Sequence, residues 1–235
     1  MKLKDTRLWK YMALSCLFAL PLLAQIPSAQ AGDSDNEKER AQKAASVMKE
    51  IMDAPDAGIP KELLDKATAI AVIPRTVKGA FMVGGNHGKG VVSQRVNGKW
   101  SSPAFIELSG GSYGLQIGVS STDYVLIFTN EEGAKPMLEK KVKLGAGASV
   151  AAGPVGRSIG ANTGILMESK VFTYSRSKGA FAGISLDGAY LRLDDGANRD
   201  AYGREINAKD LSILHTIQPK YAGRPFVDAL EKYAS

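Results

Sequence analysis

The sequence predicts an α+β fold: a curved, glycine-rich, mainly antiparallel sheet, open or closed into a barrel, with an N-terminal helix pair and C-terminal helices. Three observations lead there. Apolar residues alternate with small or polar ones in mid-chain, as at Tyr113, Leu115, Ile117 and Val119, which is the period of a strand. Twenty of the 25 glycines fall between Gly79 and Gly188, and glycine inside strands marks bends, bulges and close backbone approach. Helical patterns lie mainly on either side of that block.

Residues 1–31 stand outside this fold. Lys2, Lys4, Arg7 and Lys10 precede an apolar run from Met12 to Ala24, and Ala29-Gln30-Ala31 has the small-x-small pattern of a signal-peptidase site. A secretory signal over 1–31 is expected, leaving an exported, periplasmic chain with a single domain over 32–235. Cys16, the sole cysteine, lies within the apolar run and is a poor lipidation match after Ala13-Leu14-Ser15. Beyond residue 31 neither disulfide nor thiol chemistry is available.

A first helix follows. Ser34 and Glu37 fit a capping box, and Ala41, Ala44, Ala45, Met48, Ile51 and Met52 recur on one helical stripe until Pro55 ends it. Pro60 suits the opening of a second helix over Lys61–Lys66, since its missing donor is not needed there. Ala69–Ile73 reads as the first strand, stopped by Pro74. Tyr124–Phe128 is a continuous apolar run, as in a strand covered on both faces. Alternation returns over Val142–Val150, and further strands are expected around Ile165–Tyr174, Ala180–Leu186 and Ala189–Leu193. Asn97-Gly98 and Asp187-Gly188 are hairpin signals. Short helices are expected over Pro136–Lys141, near Ala208–Leu214 and over Pro225–Tyr233. KGAF occurs at Lys78–Phe81 and again at Lys178–Phe181, either a mark of two similar strand pairs or a coincidence.

Charge is distributed unevenly. After residue 31 there are 26 basic and 23 acidic residues. Gly32–Asp65 holds nine acids and five bases, Lys66–Lys178 fourteen bases and six acids, and no acid lies between Asp65 and Glu107. A basic body of this kind suits an anionic partner, or is simply a solvated surface.

Signals for catalysis are weak. His87, in Asn86-His87-Gly88, reads as a turn, and His215 as a helix end or a partly buried residue; neither belongs to a metal-ligand pattern. The run Leu144–Gly160 lacks the Gly-Lys-Ser/Thr ending of a phosphate loop, and Val150 stands where a dinucleotide motif needs its third glycine. No Gly-x-Ser-x-Gly elbow is present. Asp194-Asp195 adjoins Gly196 and reads as a turn before an acid–base pair, and its spacing to Asn198 and Asp200 departs from a calcium loop. Trp100, Phe105 and Tyr113 near Arg95 and Lys99 could stack bases, yet they are equally core residues at strand spacing. No enzyme activity, cofactor, metal or nucleic acid is therefore expected.

Several segments in register carry a resemblance. Ala69-Ile70-Ala71-Val72-Ile73-Pro74, Lys78-Gly79-Ala80-Phe81, Trp100-Ser101-Ser102-Pro103 and Gly114-Leu115-Gln116-Ile117-Gly118 come first. Gly153-Pro154-Val155-Gly156, Tyr174-Ser175-Arg176-Ser177-Lys178-Gly179, and Asp194-Asp195 with Asn198 and Tyr202-Gly203 follow. Together they resemble the SYLF domain over about Lys38–Gly203. The resemblance implies binding rather than catalysis: eukaryotic members bind phosphoinositides through an amphipathic N-terminal helix and basic residues, and fungal members also bind actin. By position, Ala41, Ala44, Met48, Ile51 and Met52 correspond to the membrane helix, although its polar side mixes Glu37, Glu39 and Glu50 with Lys38, Arg40, Lys43 and Lys49. The basic candidates for an anionic lipid or other amphiphile are Arg75, Lys78, Arg95, Lys99, Arg157, Arg176 and Lys178. The alternative is a non-catalytic structural or stress-related envelope protein that binds a protein partner.

Overall fold

The computed structural model describes residues 33–54, 58–81, 83–113, 118–130, 142–144, 150–154, 169–177, 180–184, 186, 188–207, 210, 214, 216 and 223–235. The chain divides into two compact units, Met1–Gln30 and Ala31–Ser235, and every described residue lies in the second. The secretory signal expected over 1–31 lies outside the described residues, as does the helix expected over Pro136–Lys141. Of the helix expected near Ala208–Leu214, only 210 and 214 are described.

The fold is α+β, a strongly curled half-barrel sheet with helices from both ends of the unit. Helix α1 (Asp33–Met52) is followed by α2 (Lys61–Asp65). The strands are β1 (Ala69–Phe81), β2 (Val83–Val96), β3 (Lys99–Trp100), β4 (Ala104–Tyr113), β5 (Gly118–Phe128), β6 (Val142–Lys143), β7 (Val150–Ala152), β8 (Val171–Ser177), β9 (Ala180–Gly183) and β10 (Tyr190–Leu193). Helices α3 (Asp195–Tyr202) and α4 (Arg224–Tyr233) follow. The sheet order is β6-β10-β4-β2-β1-β5-β8-β7, with β3 on β2 and β9 on β8. Every pairing is antiparallel except β7 with β8.

Burial explains the order. Ile70–Ile73 of β1, Phe105–Leu108 of β4, Tyr124–Phe128 of β5 and Val171–Tyr174 of β8 are buried at consecutive positions, so this half of the sheet is covered on both faces. One cover is α1, whose Ala41, Ala44, Val47, Met48 and Ile51 face the core at helical spacing. It packs on α4, β1, β2 and α3. Ser34 lies inside the helix, which already runs at Asp33, so it is not the cap the sequence suggested.

Pro74 does not stop β1. The strand passes through it by a bulge: Val72 pairs with Val91 and Val77 with His87, leaving four residues of β1 against three of β2. The same extra residue appears against β5, between Ile73 and Thr76. Proline gives the ladder no donor, and a bulge is where a central strand tolerates it. Arg75 adopts a left-handed φ of 50°, and its N–H turns to Asp123 Oδ1 of β5 at 2.8 Å. Across β2, Gly88 and Gly90 leave room for the displaced chain, since a side chain on either would collide with Ile73.

The two hairpin signals fare differently. Asn97 (φ 51°) and Gly98 (φ 76°) turn β2 into β3. Gly188 also has a positive φ, but β9 pairs with β8 and β10 with β4 and β6, so no hairpin joins them. His87, expected in a turn, sits within β2 opposite Ser109.

Asp194-Asp195-Gly196 is not a turn but the start of α3. Asp194 accepts the Ala197 N–H at 3.1 Å as N-cap, and Gly203 ends the helix at φ 72°. Asn198, fully buried, ties the helix to β4. Its Oδ1 accepts the Phe105 N–H, and its Nδ2 donates to the Phe105 and Asp194 carbonyls, all within 2.9 Å. The amide that resembled part of a cation loop thus satisfies backbone groups. At the far end of the unit, Trp100 Nε1 donates to the Ala234 carbonyl at 2.9 Å from a buried position. Trp100→Phe is expected to cost about 1–2 kcal/mol, read as a lower urea midpoint with an unchanged slope.

Candidate functional site

The buried stripe of α1 changes character in its first turns. Glu37 and Arg40 occupy the same face as Ala44 and Met48 and are almost as covered. Arg40 lies over the Phe105 ring at 5.3 Å and donates to Asp194 Oδ2 at 3.0 Å, with Glu37 at 3.8 Å. Lys89 of β2 reaches the same Asp194 oxygen at 3.1 Å and Glu107 at 3.5 Å, and Arg192 closes on Glu107. The N-cap of α3 is therefore also the centre of an ion network joining α1, β2, β4 and β10. Burial pulls the Asp194 carboxyl upward, but the Ala197 N–H, Lys89 and Arg40 outweigh it and hold it below the usual carboxylate range.

Above this network opens a groove of about 620 Å³. Its residues come from the start of α1, the β1 bulge, positions 87–89 of β2 and α3. The bulge presents Pro74 and Arg75, and Val77, where regular pairing resumes, is half exposed, the one large apolar side chain so exposed among the described residues. Lys43 on the rim pairs with Glu39 at 2.5 Å. That hydrogen bond, together with the charges of Lys43 and Arg75, keeps Glu39 below its ordinary pKa.

Among the described residues, the basic candidates Arg75 and Arg95 lie in different parts of the sheet. Arg75 lines the groove. Arg176 lies nearby in a second latch: its Nε meets Asp123 Oδ2 at 3.3 Å, on the carboxylate that holds the Arg75 N–H, and its guanidinium pairs with Glu50 of α1. Arg95 lies eight residues beyond His87 on β2, roughly 26 Å along an extended strand. It stacks on Trp100 at 4.7 Å and donates to the carbonyls of Leu64, Asp65 and Ala234. Burial lowers its pKa, opposed by Asp65. Arg95 is thus a pin between α2 and the end of α4. Lys99 is exposed beside the Asn97-Gly98 turn. Lys78 pairs through its backbone with Asn86 and Ser120. Arg157 and Lys178 lie outside the described residues, as does the start of the second KGAF.

The membrane-helix candidates are covered. Ala41, Ala44, Met48 and Ile51 are at most 1 % exposed, and Met52 packs against the same core. The stripe faces the protein's own sheet and α4, so the state seen here does not offer it to a bilayer. Among the described residues no helix is long and apolar enough to cross a membrane.

Sequence reasoning missed Lys43, Lys89, His87, Asp194 and Asp200 as neighbours, because positions 36–43, 74–77, 87–89 and 194–200 meet only in the fold. A faint signal existed: Glu37 and Arg40 interrupt an otherwise apolar face, and buried charge requires partners.

Comparison with known proteins agrees with the resemblance. A family model described as "Ysc84: Las17-binding protein actin regulator" matches residues 109–233. The rat SH3 domain-containing YSC84-like protein 1 is 34% identical over 194 residues, covering 80% of this chain and 57% of that protein. The Saccharomyces cerevisiae Protein YSC84 is 35% identical over 208 residues, 84% of this chain and 44% of that one. LAS seventeen-binding protein 3 of the same yeast is 34% identical over 206 residues. The chain spans about half the length of these relatives.

Proposed function

The chain belongs to the Ysc84 (SYLF) family, and on that footing we propose that it is an exported, non-enzymatic binding protein that takes phospholipid headgroups in the groove between α1, the β1 bulge and α3. The observation that carries this reading is the pairing, at one bulge, of the Arg75 guanidinium with half-exposed Val77 above a 620 Å³ groove. A cation beside an apolar foot is the arrangement that meets a phosphate and the start of a glyceride together. Lys43 adds a second exposed cation on the rim. The reading moves the lipid from the buried stripe of α1 to this groove. Export rests on the N-terminal pattern alone.

One experiment tests both parts. Protein recovered from the periplasmic fraction should have the mass of a chain beginning at Gly32, and it should float with phospholipid vesicles. Arg75→Glu with Lys43→Glu should weaken flotation roughly tenfold, each cation near an anionic surface contributing about 1 kcal/mol, and salt should weaken it too. Unchanged flotation of a folded double variant would remove the groove from the reading.

A protein partner is the second reading, and the family description favours it. The yeast relative's name is that of a Las17-binding protein. Protein capture that survives Arg75→Glu, without vesicle binding, would decide for it.

A further inference from the structure

The groove is not the basic patch that segment charges suggest. Its charges cancel, and most are paired inside the protein. Arg40 and Lys89 are held by Asp194 and its neighbours, and Lys43 by Glu39. Two lining charges of opposite sign make no such close pair, although the Arg75 charge also acts on Glu39 at longer range. Among the described residues the Arg75 guanidinium and the Asp200 carboxylate make no hydrogen bond or ion pair, and both are exposed. They come from different elements, the bulge of β1 and the later part of α3.

We propose that the groove selects a zwitterion with a phosphate and a primary ammonium: the phosphoethanolamine group of an aminophospholipid. This rests on the lipid reading above and adds the headgroup to it. A simple anion drawn to Arg75 would still enter beside Asp200, Glu39 and Asp194, and like charges left facing each other are penalised. A simple cation would meet Arg75. A zwitterion answers both, its phosphate on the planar guanidinium fork and its ammonium donating to the carboxylate. The cation must carry N–H groups. Quaternary ammonium is recognised by aromatic cages, whereas among the described residues the one aromatic ring lining this groove is the imidazole of His87.

The full chain is tested against vesicles of phosphatidylcholine alone, and with phosphatidylethanolamine or phosphatidylglycerol added; soluble phosphoethanolamine is titrated in parallel. Wild type should retain ethanolamine vesicles at least fivefold better than the other two. Asp200→Asn should erase that preference, and Arg75→Gln should weaken binding of ethanolamine and glycerol vesicles alike. Both side chains are exposed and make no close pair among the described residues, so thermal melts should match wild type. Equal retention of all vesicles, or preference for phosphatidylglycerol, overturns the headgroup while leaving the lipid reading standing. Binding of soluble phosphoethanolamine that depends on Asp200, with no vesicle retained, keeps the zwitterion site and removes the lipid. An unaltered preference in folded Asp200→Asn overturns the inference.

Discussion

Asp194→Ala is expected to lower stability by about 3–5 kcal/mol, the range for removing one partner of a buried ion pair. Three interactions end together: the cap on the Ala197 N–H, the contact to Arg40 at 3.0 Å and that to Lys89 at 3.1 Å. Arg40, about one-tenth exposed, is then left desolvated beside Phe105. For a domain of about 200 residues the melting temperature should fall by roughly 10 °C or more. Asp194→Asn separates the causes, because asparagine caps a helix as well as aspartate does; what it loses is charge. The pH dependence follows from the depressed carboxyl. A folded pKa below the unfolded value of about 3.9 gives stability that is complete above that value and is lost as pH falls through the folded one. Urea denaturation at pH 7 and pH 3 should therefore show wild type and Asp194→Asn far apart at neutrality and converging in acid. A gap independent of pH would mean that the ion network contributes nothing.

Gly90→Ala is expected to cost about 3 kcal/mol, the upper part of the range for overpacking. A methyl there would press on the Val72 carbonyl oxygen and stand 2.8 Å from Ile73 Cα, both backbone atoms of the bulged strand. Backbone cannot rotate aside as a side chain can. Gly85→Ala, on the same strand, is the control: its nearest neighbour would be the Gly110 carbonyl at 3.9 Å. That variant should melt close to wild type, or slightly above it through the restricted unfolded chain. Equal losses in the two variants would place the effect in strand propensity instead of in the crossing at Ile73.

These glycines also show what the sequence could and could not convey. Their density pointed correctly to a curled sheet, and the α1 stripe, the Tyr124–Phe128 run, the Asn97-Gly98 turn and the helix before Tyr233 were legible from period and turn chemistry. Pro74 misled because its tolerance depends on Gly88, Gly90 and Asp123, which are remote in the chain. Helix α3 was hidden because Asp-Asp-Gly serves equally as a turn or an N-terminus. The deciding residues, Ala197, Asn198, Ala201 and Tyr202, make a buried face only over eight residues. For the site, segment charge singled out bases and passed over acids. Arg75 is the one basic candidate, among the described residues, that lines the groove. Its counterparts Asp194 and Asp200 lie more than a hundred residues on, and a charge count along the chain cannot see that they meet.

The packing of α1 on α4 has a kinetic consequence. These helices lie near opposite ends of the folded unit, and Ala234 behind α4 is held by Arg95 and Trp100 from mid-chain. A polypeptide emerging N-terminus first cannot complete the packing of α1 until α4 has been made. Contacts of such long sequence separation make closure a late and slow event. The cover that α1 and α4 give each other is thus the last part of the packing to close, after the strands between them have been made.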